Sequence, residues 1–223
     1  MNKLEFSFEP DPVDVFLSGL KAGDRVPASR LLTLLEGEDT ETLEEALQNL
    51  ETTGAELDIS DLPKTHGSGE AAARLRQEEQ LAREGLDPRQ LEENDPLRLY
   101  LEELAGVPAF GDEAELAARC AENGGGEEQL ANLGLSRVVE LAREYVGYGV
   151  LLMDLIQEGS LGLWQAIQSF SEGEYAPYRD RWIRFYLARA VILQSHAGGV
   201  GQKMRRAMED YRQIDERLLS ELG

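Results

Sequence analysis

The sequence is poor in the residues that most site chemistry requires. Of its 223 residues one is cysteine, Cys120, which excludes an internal disulfide framework and suits a reducing compartment. The two histidines, His66 and His196, lie far apart, and no Cys/His spacing suggests zinc, so each is expected at the surface rather than on a metal. No apolar run is long enough to span a bilayer, and Met1 to Glu9 is mixed and acidic, unlike a signal peptide. A Gly-rich phosphate loop, a nucleophile–base arrangement and carboxylates paired in a cleft are all missing. The reading is therefore a cytoplasmic interaction protein with one or two cores. No catalytic residue, cofactor, metal, membrane or small-molecule substrate is expected.

Positive charge is also scarce. The chain has 22 Lys and Arg against 43 Asp and Glu, a net charge of -21, and phosphate repels such a chain taken whole. The imbalance is uneven. Residues 1–94 hold 9 basic and 22 acidic residues, a balance of -13. Residues 171–206 reverse the sign, with Arg179, Arg181, Arg184, Arg189, Lys203, Arg205 and Arg206 against Glu172, Glu174 and Asp180, a balance of +4. An acidic arm and a local basic surface are expected.

The most informative stretch runs from Asp154 to Phe170. Leu152, Ile156, Gly159, Leu163, Ile167 and Phe170 recur at spacings of three and four, which makes one continuous apolar helix face. The opposite face carries Asp154, Gln157, Glu158, Leu161, Trp164 and Gln168. Gly159 and Gly162 each disfavour helix by about 1 kcal/mol relative to Ala, and close approach of a neighbouring helix is the simplest reason for Gly159. Periodicity alone fits an ordinary amphipathic helix with a solvated acidic face.

The residue order is more specific. Asp154-Leu-Ile-Gln-Glu-Gly-x-Leu-Gly-Leu163, after a helix containing Tyr145 and before an Arg/aromatic segment, resembles the second conserved region of primary (sigma-70) bacterial RNA polymerase sigma factors. The resemblance implies a helical bundle whose helix at 154–164 docks on a coiled coil of the largest subunit of core RNA polymerase. Asp154, Gln157, Glu158, Leu161 and Trp164 would carry that contact. The likeness runs from about Asp95 to Ile192. It includes Asp95-Pro-x-Arg-x-Tyr-Leu-x-x-Leu104 at the first conserved helix and the Leu135-x-x-Val-Val-x-x-Ala-x-x-Tyr145 pattern.

Residues 11–63 read as a small separate module. Val13, Phe16, Leu17 and Leu20 suit a first helix. Pro27 suits the start of a second, with Leu31, Leu32, Leu34 and Leu35 before Gly37. Thr42–Thr53 is a third, closed by Gly54, and Ala55–Ile59 alternates like a short strand. This order resembles the acidic, winged-helix-like N-terminal domain of primary sigma factors, which mimics DNA. An unrelated three-helix interaction module is the alternative. Residues 64–93 are polar and read as a linker with a lone helix. Asn94 or Asp95 caps the next helix, Asp112 to Glu115 has capping-box spacing for a helix to Glu122, and Leu130–Tyr148 is the helix before the docking one. Residues 196–201 read as a loop, and Gln202–Leu222 as a last helix with Met204, Met208, Tyr211, Ile214 and Leu218 on its apolar side. The family's later domains, regions 3 and 4, are expected to be absent.

From Gly173 arginines interleave with aromatics. Aromatic faces stack on bases for about 1–3 kcal/mol each while arginines neutralise phosphate. In the family this helix captures single-stranded promoter DNA, so Tyr175, Tyr178, Arg181, Trp182, Arg184 and Arg189 are the candidate DNA contacts. The sequence departs from the family at telling places. Ser171-Glu172-Gly173-Glu174 replaces a basic stretch, Arg181 replaces the first of two tryptophans, and Phe185 and Ala188 replace the glutamine and threonine that read duplex bases. Pro177 is expected to delay the helix to Tyr178. The expected fold is all-α: a sigma region 1.2/2-like bundle (94–200), an acidic N-terminal domain (1–63), a linker (64–93) and a C-terminal helix (201–223). The expected function is a transcription initiation protein that binds core polymerase and contacts promoter DNA. The alternative is a regulator that occupies polymerase without recognising promoters.

Overall fold

A computed structural model describes residues 12–67 and 70–222, with side chains for all of these except Glu70, Asn123 and residues 200–222. The first helix, α1 (Pro12–Ser18), lays Val13, Phe16 and Leu17 on the core of the N-terminal segment. A strand unforeseen in the sequence follows, β1 (Arg25–Pro27), which pairs in parallel with β2 (Glu56–Asp58), Val26 opposite Leu57. Three residues are too few to show a period of two. The parallel pairing needs a long crossover, and α2 (Ala28–Leu34) and α3 (Thr40–Thr53) supply it. Asp39 caps α3 by accepting from the Thr42 amide at 2.9 Å, and Gly54 ends it in the left-handed region at φ 78°. Leu31, Leu35, Leu43, Leu47 and Leu50 are fully buried between these pieces.

The segment expected to be a linker folds into the main core instead. In α4 (Glu70–Glu84) Ala72, Leu75, Leu81 and Ala82 are buried, together with Glu78 and Glu79. Its apolar face is two alanines and two leucines among charged residues, so average polarity hid the period. His66 is half-buried beside it, its Nε2 2.6 Å from Glu79 Oε2.

Next come α5 (Pro96–Gly106), capped by Asp95, α6 (Glu113–Asn123), capped by Asp112, and α7 (Glu127–Ala142). α7 ends earlier than its sequence pattern suggests, passing into a single 3-10 turn at Arg143–Tyr145. Gly147 and Gly149 then take positive φ, at 90° and 86°, and turn the chain into α8 (Leu152–Ser169). The last helix, α9 (Tyr175–Leu222), corrects two expectations. It begins at Tyr175, with Pro177 in the first turn, where no amide needs an intrahelical acceptor. It also runs unbroken through the glycines at 198, 199 and 201, because glycine weakens a helix without forcing it to end. The apolar side expected at Met204, Met208, Tyr211, Ile214 and Leu218 lies outside the described side chains.

α7, α8 and α9 surround the main core, built on Leu141, Leu152, Leu155, Ile156, Leu163, Ile183, Leu187 and Val191. The N-terminal segment is not free-standing. Its core is closed by Phe185, 4% exposed, and Ile192, fully buried, both on α9. His196 is buried rather than at the surface, and neither ring nitrogen has a partner among the described residues. It lines a cleft with the turn from Glu36 to Thr40. Apart from β1 and β2 the architecture is all-α.

Candidate functional site

The 18 residues of α8 divide cleanly. Leu152, Leu155, Ile156, Gly159, Gly162, Leu163, Ala166 and Ile167 are buried. Asp154, Gln157, Leu161, Trp164 and Gln168 are exposed in one stripe, with Glu158 half-buried at its edge. Leu161 is 53% and Trp164 49% exposed. Large apolar side chains bare to water beside carboxylates make this stripe the candidate contact surface.

Three glycines bring the neighbouring helices onto the back of this stripe. A Cβ on Gly159 would lie 2.9 Å from Val138, one on Gly134 2.6 Å from Leu163, and one on Gly162 2.7 Å from the Trp182 carbonyl oxygen. Gly159 thus meets its expected reason, and Gly162 has the same reason against backbone.

The N-terminus of α8 is held from outside. Leu151 offers no side-chain cap. The Leu152 amide donates instead to Glu78 of α4 at 2.6 Å, and Arg74 donates to the other Glu78 oxygen at 2.7 Å. Arg74 also forks onto Asp95, the cap of α5. Burial pushes the Glu78 carboxyl above its ordinary pKa, against the pull of the Leu152 amide and Arg74. One buried carboxylate therefore fixes where α8 begins relative to α4 and α5.

On α9 an aromatic row runs Tyr178, Trp182, Tyr186, with ring centroids 6.3 and 6.4 Å apart, and Phe170 stands 5.5 Å from Tyr178. Arg181 lies over both Tyr178 and Trp182, 5.5 and 4.9 Å from the ring centroids. Its guanidinium makes no ion pair among the described residues. The other arginines of this segment are engaged: Arg179 with Glu113 and Asp180, Arg184 with Glu144 at 2.7 Å, and Arg189 with Glu158 at 3.4 Å.

Residues 131–191, from mid-α7 into α9, match the family Sigma-70 region 2. Two relatives bear the name RNA polymerase sigma factor SigA. The one from a Bacillus species is 38% identical over 137 residues, and the one from Clostridium acetobutylicum 36% identical over 136. Each alignment covers 58% of this chain and 36% of the relative, so the match spans about a third of the length of these curated relatives.

Within residues 131–191 the polymerase-facing candidates Asp154, Gln157, Glu158, Leu161 and Trp164 come together on one face. The DNA-facing candidates do not. Tyr175 is 3% exposed, packed edge-on to Phe170, and burial pushes its phenol pKa well up. Trp182 is 8% exposed, its indole N–H without a hydrogen-bond partner among the described residues, held between Tyr178 and Tyr186 under Arg181. Tyr178, Arg181, Arg184 and Arg189 remain partly exposed. The departures from the family pattern acquire a structural use. Ala188 is buried in the main core, and Phe185 plugs the core of the N-terminal segment. Tyr186, beside them, donates to Glu51 of α3 at 3.3 Å. Sequence reasoning missed Glu78 altogether, since its partner lies 74 residues away. It missed Ile192 as a socket residue because an apolar residue at helical spacing looks like any core position.

Proposed function

We propose that this chain is a sigma-type transcription initiation protein of the bacterial cytoplasm that docks on core RNA polymerase through the exposed stripe of α8. The observation that carries the proposal is the pairing of Leu161 and Trp164, half exposed, with Asp154, Gln157 and Glu158 on a helix whose reverse is fully packed. The resemblance to the sigma family supplies the occupant, a coiled coil of the largest subunit. A basic coiled coil would find complementary charge here. Promoter DNA, single-stranded, would meet α9 at Tyr178, Arg181, Trp182, Arg184 and Arg189, with Tyr175 supporting Tyr178 through Phe170.

The test is capture of core polymerase by the tagged chain. Glu158→Lys should abolish it. Trp164→Ala should weaken it by about tenfold or more, the loss typical of an interface hot spot, without lowering the melting temperature. Full capture by both variants would place the dock elsewhere.

A second reading is favoured by Phe185, Ala188 and Ile192. In the family the first two positions read duplex DNA, and here all three are inside the fold. On this reading the chain occupies polymerase without recognising promoters. Transcription from a preformed promoter bubble with core enzyme separates the two: transcripts support the first reading, and their absence despite stable binding supports the second.

A further inference from the structure

His196 is 7% exposed, and neither Nδ1 nor Nε2 has a hydrogen-bond partner among the described residues. A neutral imidazole carries one donor and one acceptor, and a buried polar group left unpaired costs free energy. The residue lines a cleft of about 520 Å³ between α9 and the turn that joins α2 to α3, within the size range of small-molecule sites. Glu36, Glu38 and Asp39 bring carboxylates to this cleft and Leu32 an apolar surface, and no lysine or arginine lines it among the described residues. Asp39 spends one oxygen on capping α3, accepting from the Thr42 amide and hydroxyl at 2.9 and 2.8 Å. Those donors hold its carboxyl below the ordinary 3.8, so it stays charged in neutral solution.

We infer that this cleft binds a small linear diamine, one ammonium donating to the His196 imidazole and the other facing the carboxylates of Glu38 and Asp39, with the hydrocarbon stem along Leu32. Each alternative fails on one wall of the cleft. An anion meets three carboxylates. A metal ion lacks its ligands, since no group of three His, Cys, Asp or Glu is placed to hold one among the described residues. A wholly apolar molecule leaves the imidazole as unpaired as before. A dication with an apolar stem answers the charge, the orphaned nitrogen and Leu32 together. Both ring nitrogens are covered in this arrangement, so the ring must turn toward the cleft that it already lines. A hydrogen bond from a charged donor is among the stronger ones, and it offsets that turn. The site lies away from the exposed stripe of α8 and does not depend on the docking reading.

The probe is putrescine, titrated calorimetrically into the full chain at about 0.15 M salt, where diffuse attraction to an acidic protein is screened. Saturable single-site binding is expected, with the His196 ring proton resonances shifting along the same isotherm. 1,4-Butanediol, of the same length without charge, should not bind. His196→Leu should weaken putrescine binding about tenfold or more without lowering the melting temperature, because an apolar side chain replaces an unpaired polar one. Glu38→Gln should weaken it about two- to fivefold, the size of an exposed charge pair. Glu45→Gln removes the same charge from a different cleft and should change nothing. Binding that does not saturate, that survives His196→Leu, or that falls equally in Glu45→Gln overturns the inference. So does tighter binding of Nα-acetyl-lysine amide, which would assign the cleft to a lysine side chain of another protein.

Discussion

Replacing Gly162 by alanine should destabilise the protein although it improves the helix. Alanine gains about 1 kcal/mol over glycine in a helix interior. Against that, the new Cβ would lie 2.7 Å from the Trp182 carbonyl oxygen, 3.0 Å from the Ile183 Cα and 3.1 Å from the Trp182 carbonyl carbon. All three are backbone atoms of α9, which cannot rotate out of the way. α8 and α9 must separate, and a gap of about 0.5–1 Å forfeits a quarter to a half of each dispersion contact along the seam. Overpacking of this kind costs about 1–3 kcal/mol. A rigid backbone obstacle belongs at the upper end, leaving a net loss of about 2 kcal/mol. For a chain of this size that lowers the melting temperature by about 4–8 °C. Thermal unfolding followed by circular dichroism, with a denaturant titration to obtain the free energy, measures it. An unchanged or higher melting temperature would refute the close approach of α8 to α9.

Gly198→Ala makes the opposite case. No atom lies within 4 Å of its Cβ position, so the variant should gain about 1 kcal/mol of local helix stability and greater ellipticity at 222 nm, whereas a loop at 196–201 would give no gain. Glu78→Ala should cost about 1–3 kcal/mol, because it strips the Leu152 amide of its acceptor in a buried place. Glu78→Gln should cost less, since burial already disfavours the charge, and equal losses in denaturant titrations would argue against capping. Burial resists ionisation of Asp180, but donors from Arg137 and Arg179 outweigh it and hold the carboxyl below its ordinary 3.8. Its folded pKa is therefore depressed, so its contribution is present above pH 3.8 and is lost as pH falls through the folded value. Asp180→Asn should lower the melting temperature at pH 7, with the difference closing below about pH 3.8; a gap that persists there would count against the ion pair.

The local signals in the chain were reliable where a single helix decides the outcome. The caps at Asp95 and Asp112 and the left-handed stop at Gly54 depend on residues within four positions of each other. The division of α8 into a packed face and a bare one follows from a period of 3.6, and the order of residues along it marks the family. Local weakness misled at residues 64–93 and 196–201. The face of α4, two alanines and two leucines among charged residues, looks like solvated linker until a core is placed beside it, and glycines that break an isolated helix are carried along within α9.

The sequence by itself determined that the chain is largely helical with an acidic preface, that its middle resembles a sigma-70 region 2, and which stripe of α8 is left bare. Only the tertiary structure decided where the preface sits, what starts α8, and which described arginines of α9 are ion-paired. The reason is distance along the chain. Glu78 meets Leu152 across 74 residues, Glu51 meets Tyr186 across 135, and Glu158 meets Arg189 across 31. Hydrogen bonds and ion pairs at those separations leave no period, cap or spacing in the residues between them.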